Sequence, residues 1–424
     1  MTSREHVAGI KRSLTHLGGD VETEGDAQPA RALAEALDVA GADAPGRHKL
    51  PDEPAARDDD EPDRAHVHGF HAYPARIHPV TASRLITGLC RPGGVVLDPF
   101  CGSGTVLVEA MIAGRTARGS DLNPLAVRLA RWKTAARSPA AGRAVVDGAA
   151  RARAHAESRR KEKAGPTIRY GEDDRAAFDT HVLLELDGIR AGIFAERDPD
   201  VRGALLLVLS AIIVKVSRKR SDTNDHHAEK RIAAGYSGKL FLRKAEEFSR
   251  RSAAFESLLP APRRSAEVFE DDATQLASIG PASVDTIVSS PPYAGTYDYL
   301  AHHALRLRWL GLDAAALESG ELGSRRRYAV MSAQQAEEAW VAELAKFLGA
   351  AKRVLKPGGG VALVLADSEA GGHALRADVL AATAALQAGL IPSARASQDR
   401  PHFHDARAFV REPRREHALY FRKR

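Results

Sequence analysis

Cysteine and aromatic side chains are scarce in this sequence, and no long apolar run occurs. Only Cys90 and Cys101 are present among 424 residues, which excludes a disulfide scaffold and any all-cysteine zinc site. The longest apolar stretch, Ala204 to Val214, falls well short of the roughly 20 residues a membrane helix needs, so a buried helix or strand is expected there. The N-terminus has no apolar signal-peptide core, and a cytoplasmic location is the expectation. A chain this long can bury a large core, as one large domain carrying an insertion or as two domains.

Charge is present but uneven. The net charge is +6, yet residues 1–62 hold 7 Lys+Arg against 14 Asp+Glu, so the remainder is strongly basic. Gly, Ala, Asp and Pro dominate that first stretch, and a disordered acidic tail is expected over 1–62, with one short amphipathic helix near Arg31 to Val39. A basic body points to a polyanion partner. An Arg- and Ala-rich composition produces the same signature without one.

The organising stretch is Val95 to Thr105, VVLDPFCGSGT. A β-branched run ends in an aspartate, the chain turns through two glycines, and a Thr opens an apolar periodic segment; this reads as strand, tight loop, helix. Gly102 and Gly104 allow backbone angles and a close approach that a Cβ would block, so a nucleotide-like ligand can lie against the main chain. Parallel α/β folds also use glycine at this turn for packing alone. A second string, Ser289-Ser290-Pro291-Pro292-Tyr293, follows another apolar run containing Val284, Ile287 and Val288.

Together the two strings resemble the amino-methyltransferases of nucleic acids, S-adenosylmethionine enzymes with a DPFxGSGT loop and a (D/N/S)PP(Y/F) tetrapeptide. The Ser form resembles the cytosine-N4 branch. The resemblance covers about Val67 to Lys133 and Ala266 to the end. It implies an α/β class I methyltransferase (Rossmann-like) fold: a seven-stranded, mostly parallel sheet, here interrupted by a helical insertion. The implied organisation is a cofactor-binding part over 63–136, the insertion over 137–264 and a catalytic part over 265–424.

In that family the glycine loop holds the cofactor, which makes Asp98, Phe100, Gly102, Gly104 and Thr105 candidates. Thr116 to Asp121 reads as a second strand ending in an acid, followed by Asn123. A carboxylate there can accept from both ribose hydroxyls; capping of the next helix is the alternative role for Asp121. Glu267 to Ala273 reads as a third strand, and the resemblance places Asp272 and Ala273 at the adenine amino group. Helix Ala336 to Leu355, the Lys356 to Gly360 turn and apolar Val361 to Ala366 look like the late half of the sheet, completed by a helix over 374–388 and strands near Ile391 and Tyr420.

Residues 66–80 read HVHGFHAYPARIHPV. The family has a similar HxYPAKF string that helps hold the methionine end of the cofactor, and Tyr73 and Pro74 match it, while Arg76 and Ile77 replace its Lys and Phe. Four histidines raise a metal hypothesis, but no carboxylate or cysteine accompanies them at ligand spacing, and no metal is expected.

The stretch 137–264 is helical in pattern and basic, with 26 Lys+Arg against 18 Asp+Glu. Within it Lys215 to Arg220 reads KVSRKR. Lys215, Arg218, Lys219 and Arg220 are candidates for DNA phosphate contacts; favourable charge at a helix C-terminus is the alternative.

Exocyclic amino groups of bases are weak nucleophiles, because the lone pair is delocalised into the ring. An enzyme must orient that lone pair and accept amino hydrogens, and Ser290 Oγ with the Pro291 carbonyl suits both tasks. Pro291 and Pro292 stiffen the backbone that aims them. Tyr293 would stack on a base flipped out of duplex DNA; Tyr297 and Tyr299 lie close enough in sequence to join it, with ordinary half-buried aromatics as the equal alternative. Cys101 lies in the glycine loop rather than at a Pro-Cys strand end, which argues against a thiolate adduct at cytosine C5. The expected activity is cytosine-N4 methylation of DNA. The rivals are adenine-N6 methylation, an RNA or protein amino-methylase, and a catalytically idle S-adenosylmethionine-binding regulator; a restriction endonuclease is an admissible partner.

Overall fold

The computed structural model describes residues 20–39, 62–222, 224–227, 230–400, 407–410 and 412–424. The chain opens with strand β1 (Val21–Gly25) and helix α1 (Ala27–Leu37), then α2 (Pro79–Leu89), β2 (Val95–Asp98), α3 (Thr105–Ile112), β3 (Thr116–Asp121) and α4 (Pro124–Thr134). A helical stretch follows: α5 (Pro139–Lys161), α6 (Glu172–Ala177), α7 (Thr180–Phe194), α8 (Pro199–Val216), a hairpin of β4 (Lys219–Ser221) and β5 (Asn224–His227), and α9 (Tyr236–Leu258). The alternating pattern resumes with β6 (Ala266–Glu270), β7 (Val284–Ser289), α10 (Tyr299–Leu310), the short α11 (Ala315–Gly320) and α12 (Arg325–Tyr328), and α13 (Ala333–Val354). The end is β8 (Leu355–Ala366), a small hairpin of β9 (Ser368–Ala370) and β10 (His373–Leu375), α14 (Ala377–Gln387), β11 (Ile391–Asp399) and β12 (Arg415–Arg422).

The main sheet runs β1-β11-β12-β8-β7-β2-β3-β6. Its centre, from β8 to β6, is parallel, while β12 is antiparallel to both of its neighbours. Helices cover both faces: α3 and α4 with the α5–α9 group on one, α13 and α14 on the other. This is the class I methyltransferase arrangement, with the order reversing at β2 and β7, where the carboxyl ends of adjacent strands open a crevice.

One expectation is corrected at the edge. The sheet has eight strands, and the eighth comes from the stretch read as a disordered tail. Strand β1 pairs with β11 from Val21 opposite Gln398 to Gly25 opposite Ala394. Its acids face arginines across the sheet, Glu22 to Arg415 and Glu24 to Arg395, each at 2.6 Å. Helix α1 then buries Leu33, Ala36 and Leu37. The acidic composition there marks the charged outer edge of a sheet. Residues 1–19 and 40–61 of the same stretch lie outside the described residues.

The helical insertion is continuous with the core of the cofactor half. Trp132 of α4 lies between Phe70 and Phe248 of α9, with ring centroids 4.4 and 4.3 Å away, interactions of about 0.5–1.5 kcal/mol each beyond their area. Helix α8 is apolar on nearly every side and buried from Ala204 to Val214, which is why that run has no helical periodicity. A buried ion pair fastens the hairpin behind it: Arg306 of α10 grips Asp222 through Nε at 2.8 Å and Nη2 at 2.7 Å.

Candidate active site

The carboxyl ends of β7, β2, β3 and β6 stand side by side, and each delivers a loop to one cavity. After β2 come Pro99, Phe100 and Gly102; after β3, Asp121, Leu122 and Asn123; after β6, Asp271 and Ala273; after β7, Ser290 and Pro292. Tyr73 and Ala75 close one side, and Leu317, Gly320, Glu321 and Leu322 form a roof.

The glycine loop has the geometry its sequence requires. Gly102 and Gly104 hold φ of 48° and 85°, and a Cβ at Gly104 would stand 3.0 Å from Ala130 Cα. A Cβ at Gly102 would meet the Tyr73 ring at 3.2 Å. Asp121 binds the loop directly, accepting from Gly102 N at 2.9 Å through Oδ2 and from Asn123 N at 2.8 Å through Oδ1. Capping of α4 falls instead to Asn123, whose side chain accepts from Leu125 N. Burial pushes the Asp121 carboxyl up to about 6, and each of its oxygens retains acceptor capacity beyond its one main-chain bond.

Several predicted residues act one step away from the cavity. Asp98 is buried, accepts from Ser289 Oγ at 2.6 Å and Phe100 N at 3.1 Å, and does not line the cavity. Gly104 and Thr105 form the buried start of α3, and Pro74 only separates two lining residues. Asp272 does not line the cavity: its carboxylate caps its own turn, accepting from Thr274 N and Oγ1 at 2.8 Å, while its neighbours Asp271 and Ala273 are lining residues. Aspartates at turn starts commonly do this.

A second cavity adjoins the first. Leu37, Arg76, Ile77, His78, Thr81, Val364 and Glu416 line it with Pro291, Tyr293, Tyr297 and Tyr299. Ala75, Ser290 and Tyr299 belong to both cavities. Ser290 Oγ lies 3.3 Å from Tyr293 OH. The participation of Leu37 was not legible in the sequence, since it depends on α1 folding back over the sheet.

Of the four histidines, His68, His71 and His78 are buried in the scaffold and His66 is half-buried. His68 Nε2 lies 2.8 Å from Glu109 Oε1, so a carboxylate does reach the cluster, from a helix that sequence spacing could not place. Burial raises Glu109 to about 8 and lowers His66 to about 3, and it holds His68 well below the ordinary imidazole range, so burial favours the uncharged form of each partner. The guanidinium groups of Arg76 and Arg251 add to the lowering at these histidines and oppose a divalent cation at His66, His68 and Glu109. Cys101 is buried with its thiol pushed well above the ordinary range, so it is no thiolate nucleophile.

Around KVSRKR, Lys215, Arg218 and Arg220 are exposed and Lys219 is half-buried. Arg218 is held by Asp179 at 2.6 Å and by the Ala176 carbonyl.

Residues 50–131 match the family described as DNA methylase. The match covers the stretch that carries the glycine loop, about a fifth of the chain. The chain is 35% identical over 68 residues to the type II methyltransferase M.MjaII of Methanocaldococcus jannaschii, covering 16% of this chain and 13% of the relative. It is 39% identical over 85 residues to the type II methyltransferase M.MvaI of Kocuria varians, covering 19% of each. The matches thus span less than a fifth of either relative's length. Among solved structures, the rRNA methyltransferase AviRa of Streptomyces viridochromogenes is 12% identical, with 83% of this chain and 88% of that one covered and a TM-score of 0.32. TrmN of Thermus thermophilus is 15% identical, with 82% and 49% covered and a TM-score of 0.31. The DNA methylase match and the fold support S-adenosylmethionine as the cofactor. The cavity fits it: two glycines leave room for a backbone approach, and acids stand where hydroxyl and amino groups need acceptors.

Proposed function

We propose that the chain is a DNA methyltransferase that methylates the exocyclic N4 of cytosine, with the target base flipped from duplex DNA into the second cavity. The observation that carries this reading is the position of Ser290, which lines both the cofactor cavity and its neighbour. A group there touches both reactants.

S-adenosylmethionine supplies an electrophilic methyl group. The residues of the chain do the rest. Ser290 Oγ and the Pro291 carbonyl accept the two amino hydrogens, which turns the nitrogen lone pair out of conjugation and gives a leaving proton an acceptor. Tyr293, Tyr297 and Tyr299 supply apolar faces against which a planar base can stack. Asp98 holds Ser289, and therefore the turn into Ser290, against the strand that carries the glycine loop.

Ser rather than Asp or Asn at position 290 supports cytosine over adenine. Its hydroxyl is a shorter, neutral acceptor, suited to a smaller pyrimidine seated deeper in the cavity. The test is mass spectrometry of nucleosides from DNA treated with the protein and S-adenosylmethionine. N4-methylcytidine is expected; N6-methyladenosine in its place would transfer the assignment to adenine. Ser290→Ala should lower turnover by roughly 10- to 1,000-fold, the range for losing one aligned acceptor, and leave cofactor binding unchanged.

The exposed cations of the insertion, Lys215, Arg218 and Arg220, support duplex phosphate contacts, the sequence-independent part of DNA affinity.

A further inference from the structure

The roof of the cofactor cavity contains a carboxylate that the fold leaves half-satisfied. Glu321 follows α11, is only 6% exposed and lines the cofactor cavity. Its Oε1 accepts from Tyr299 N at 2.5 Å. Its Oε2 is buried without a partner in hydrogen-bond geometry, although the Ser324 hydroxyl is near enough to favour the ionised carboxylate. The nearest cation, Arg326 Nη2, stands 4.0 Å off, and Arg326 is itself committed to Asp298 at 2.6 Å.

The other acids of the cavity differ in this respect. Asp121 uses one oxygen for Gly102 N and the other for Asn123 N. Asp271 uses one for Asp272 N and the other for Ser278 N. Among the described residues, Glu321 is the only cavity acid with an oxygen left without a hydrogen bond. A buried, unpaired carboxylate oxygen is costly, and a site that retains one is complete only when a donor arrives.

The position of Glu321 indicates which donor. Asp271 and Ala273 follow β6 at one end of the row of strand ends, and Asp121 follows β3 beside them. Glu321 is bonded to Tyr299, which borders the target cavity together with Ser290. It therefore lies in the part of the roof that borders the target cavity, and the part of the cofactor that must reach toward Ser290 with the sulfonium is its amino-acid portion. That portion carries an ammonium group with three donors and a full positive charge. We infer that Glu321 binds the ammonium group of the methionine moiety of S-adenosylmethionine. This rests on the cofactor assignment alone and is independent of whether DNA is the methyl acceptor.

The experiment compares two ligands by calorimetry. S-adenosylhomocysteine carries adenosine and the amino-acid portion; 5′-methylthioadenosine carries adenosine without it. Glu321→Gln keeps the acceptor for Tyr299 N and removes the charge, so the unliganded protein should melt no lower than wild type. The variant should bind S-adenosylhomocysteine about ten- to a hundredfold more weakly, as expected for losing one charged hydrogen bond. Its affinity for 5′-methylthioadenosine should stay within about twofold of wild type. Equal weakening toward both ligands would place Glu321 at the ribose and overturn the inference, as would unchanged binding of both. Wild-type protein that binds S-adenosylhomocysteine but transfers no methyl to DNA would sink the proposed substrate and leave this assignment standing. Wild-type protein that binds neither ligand would overturn it.

Discussion

Ser289 donates its hydroxyl to Asp98 Oδ1 at 2.6 Å, across the seam between β7 and β2. That bond joins the strand carrying the glycine loop to the strand that leads into Ser290-Pro291-Pro292-Tyr293, and both partners are buried. Asp98→Ala would leave the Ser289 hydroxyl and the Phe100 amide without their acceptor. Each orphaned buried donor costs about 1–3 kcal/mol, so the urea midpoint should drop and cofactor affinity and turnover should fall together. A midpoint equal to wild type would show that the two strands are fixed by other contacts.

Cofactor binding should depend on pH through Asp121. Its carboxyl is raised by burial to about 6, above the ordinary value near ~4. In the unliganded protein the folded state therefore holds the proton more tightly than the unfolded chain. The stability from this group is present at low pH and declines as pH rises from about 4 through about 6. Hydroxyls donating to the carboxylate favour its ionised form, so affinity for S-adenosylhomocysteine should rise between pH 5 and 7. Asp121→Asn should flatten that rise; a variant with the same pH profile as wild type would assign the titration elsewhere.

The parts of this architecture that repeat a local rule were readable from sequence. Strands ending at Asp98 and Ser289 are apolar or β-branched runs closed by a polar residue, and with the strand ending at Asp121 they occupy adjacent positions in the sheet. What escaped is whatever depends on long-range folding. Val21 to Gly25 reads as acidic tail because its partners, Arg395 and Arg415, lie at the far end of the chain. Glu321 carries no motif at all, and only the path of the chain after α10 brings it over the cavity. Asp272 shows the converse, a motif position whose side chain the local turn claims first.

The Arg306–Asp222 pair should be a structural anchor. Both groups are nearly inaccessible, with side chains 2% and 8% exposed, and Arg306 also reaches the Ser210 carbonyl. Removing one partner of a buried pair strands the other charge, at about 3–5 kcal/mol. Asp222→Ala should lower the melting temperature by several degrees and loosen the β4–β5 hairpin against α10, measured as faster amide exchange in both elements. A melting temperature and exchange pattern equal to wild type would mean that the apolar packing of α8 alone fixes the hairpin.

DNA affinity is expected to draw on the cations that the fold leaves available. Lys215 and Arg220 are exposed and have no ion-pair partner among the described residues, whereas Arg218 is engaged by Asp179. That exposed pair contributes little, about 0–1 kcal/mol, so Arg218 can exchange its partner for a phosphate. A further guanidinium with no ion-pair partner among the described residues, Arg325, begins α12, and its main-chain N donates to the carbonyl of Tyr297 at the target cavity. Neutralising one cation that binds a phosphate should reduce the slope of log affinity against log salt by about one. Lys215→Gln with Arg220→Gln should therefore lower the slope by up to about two, and Arg325→Gln by about one more, with cofactor binding intact. If the Lys215 and Arg220 changes leave the slope untouched while Arg325→Gln lowers it, the duplex runs along α12, and the insertion serves the core instead of the DNA.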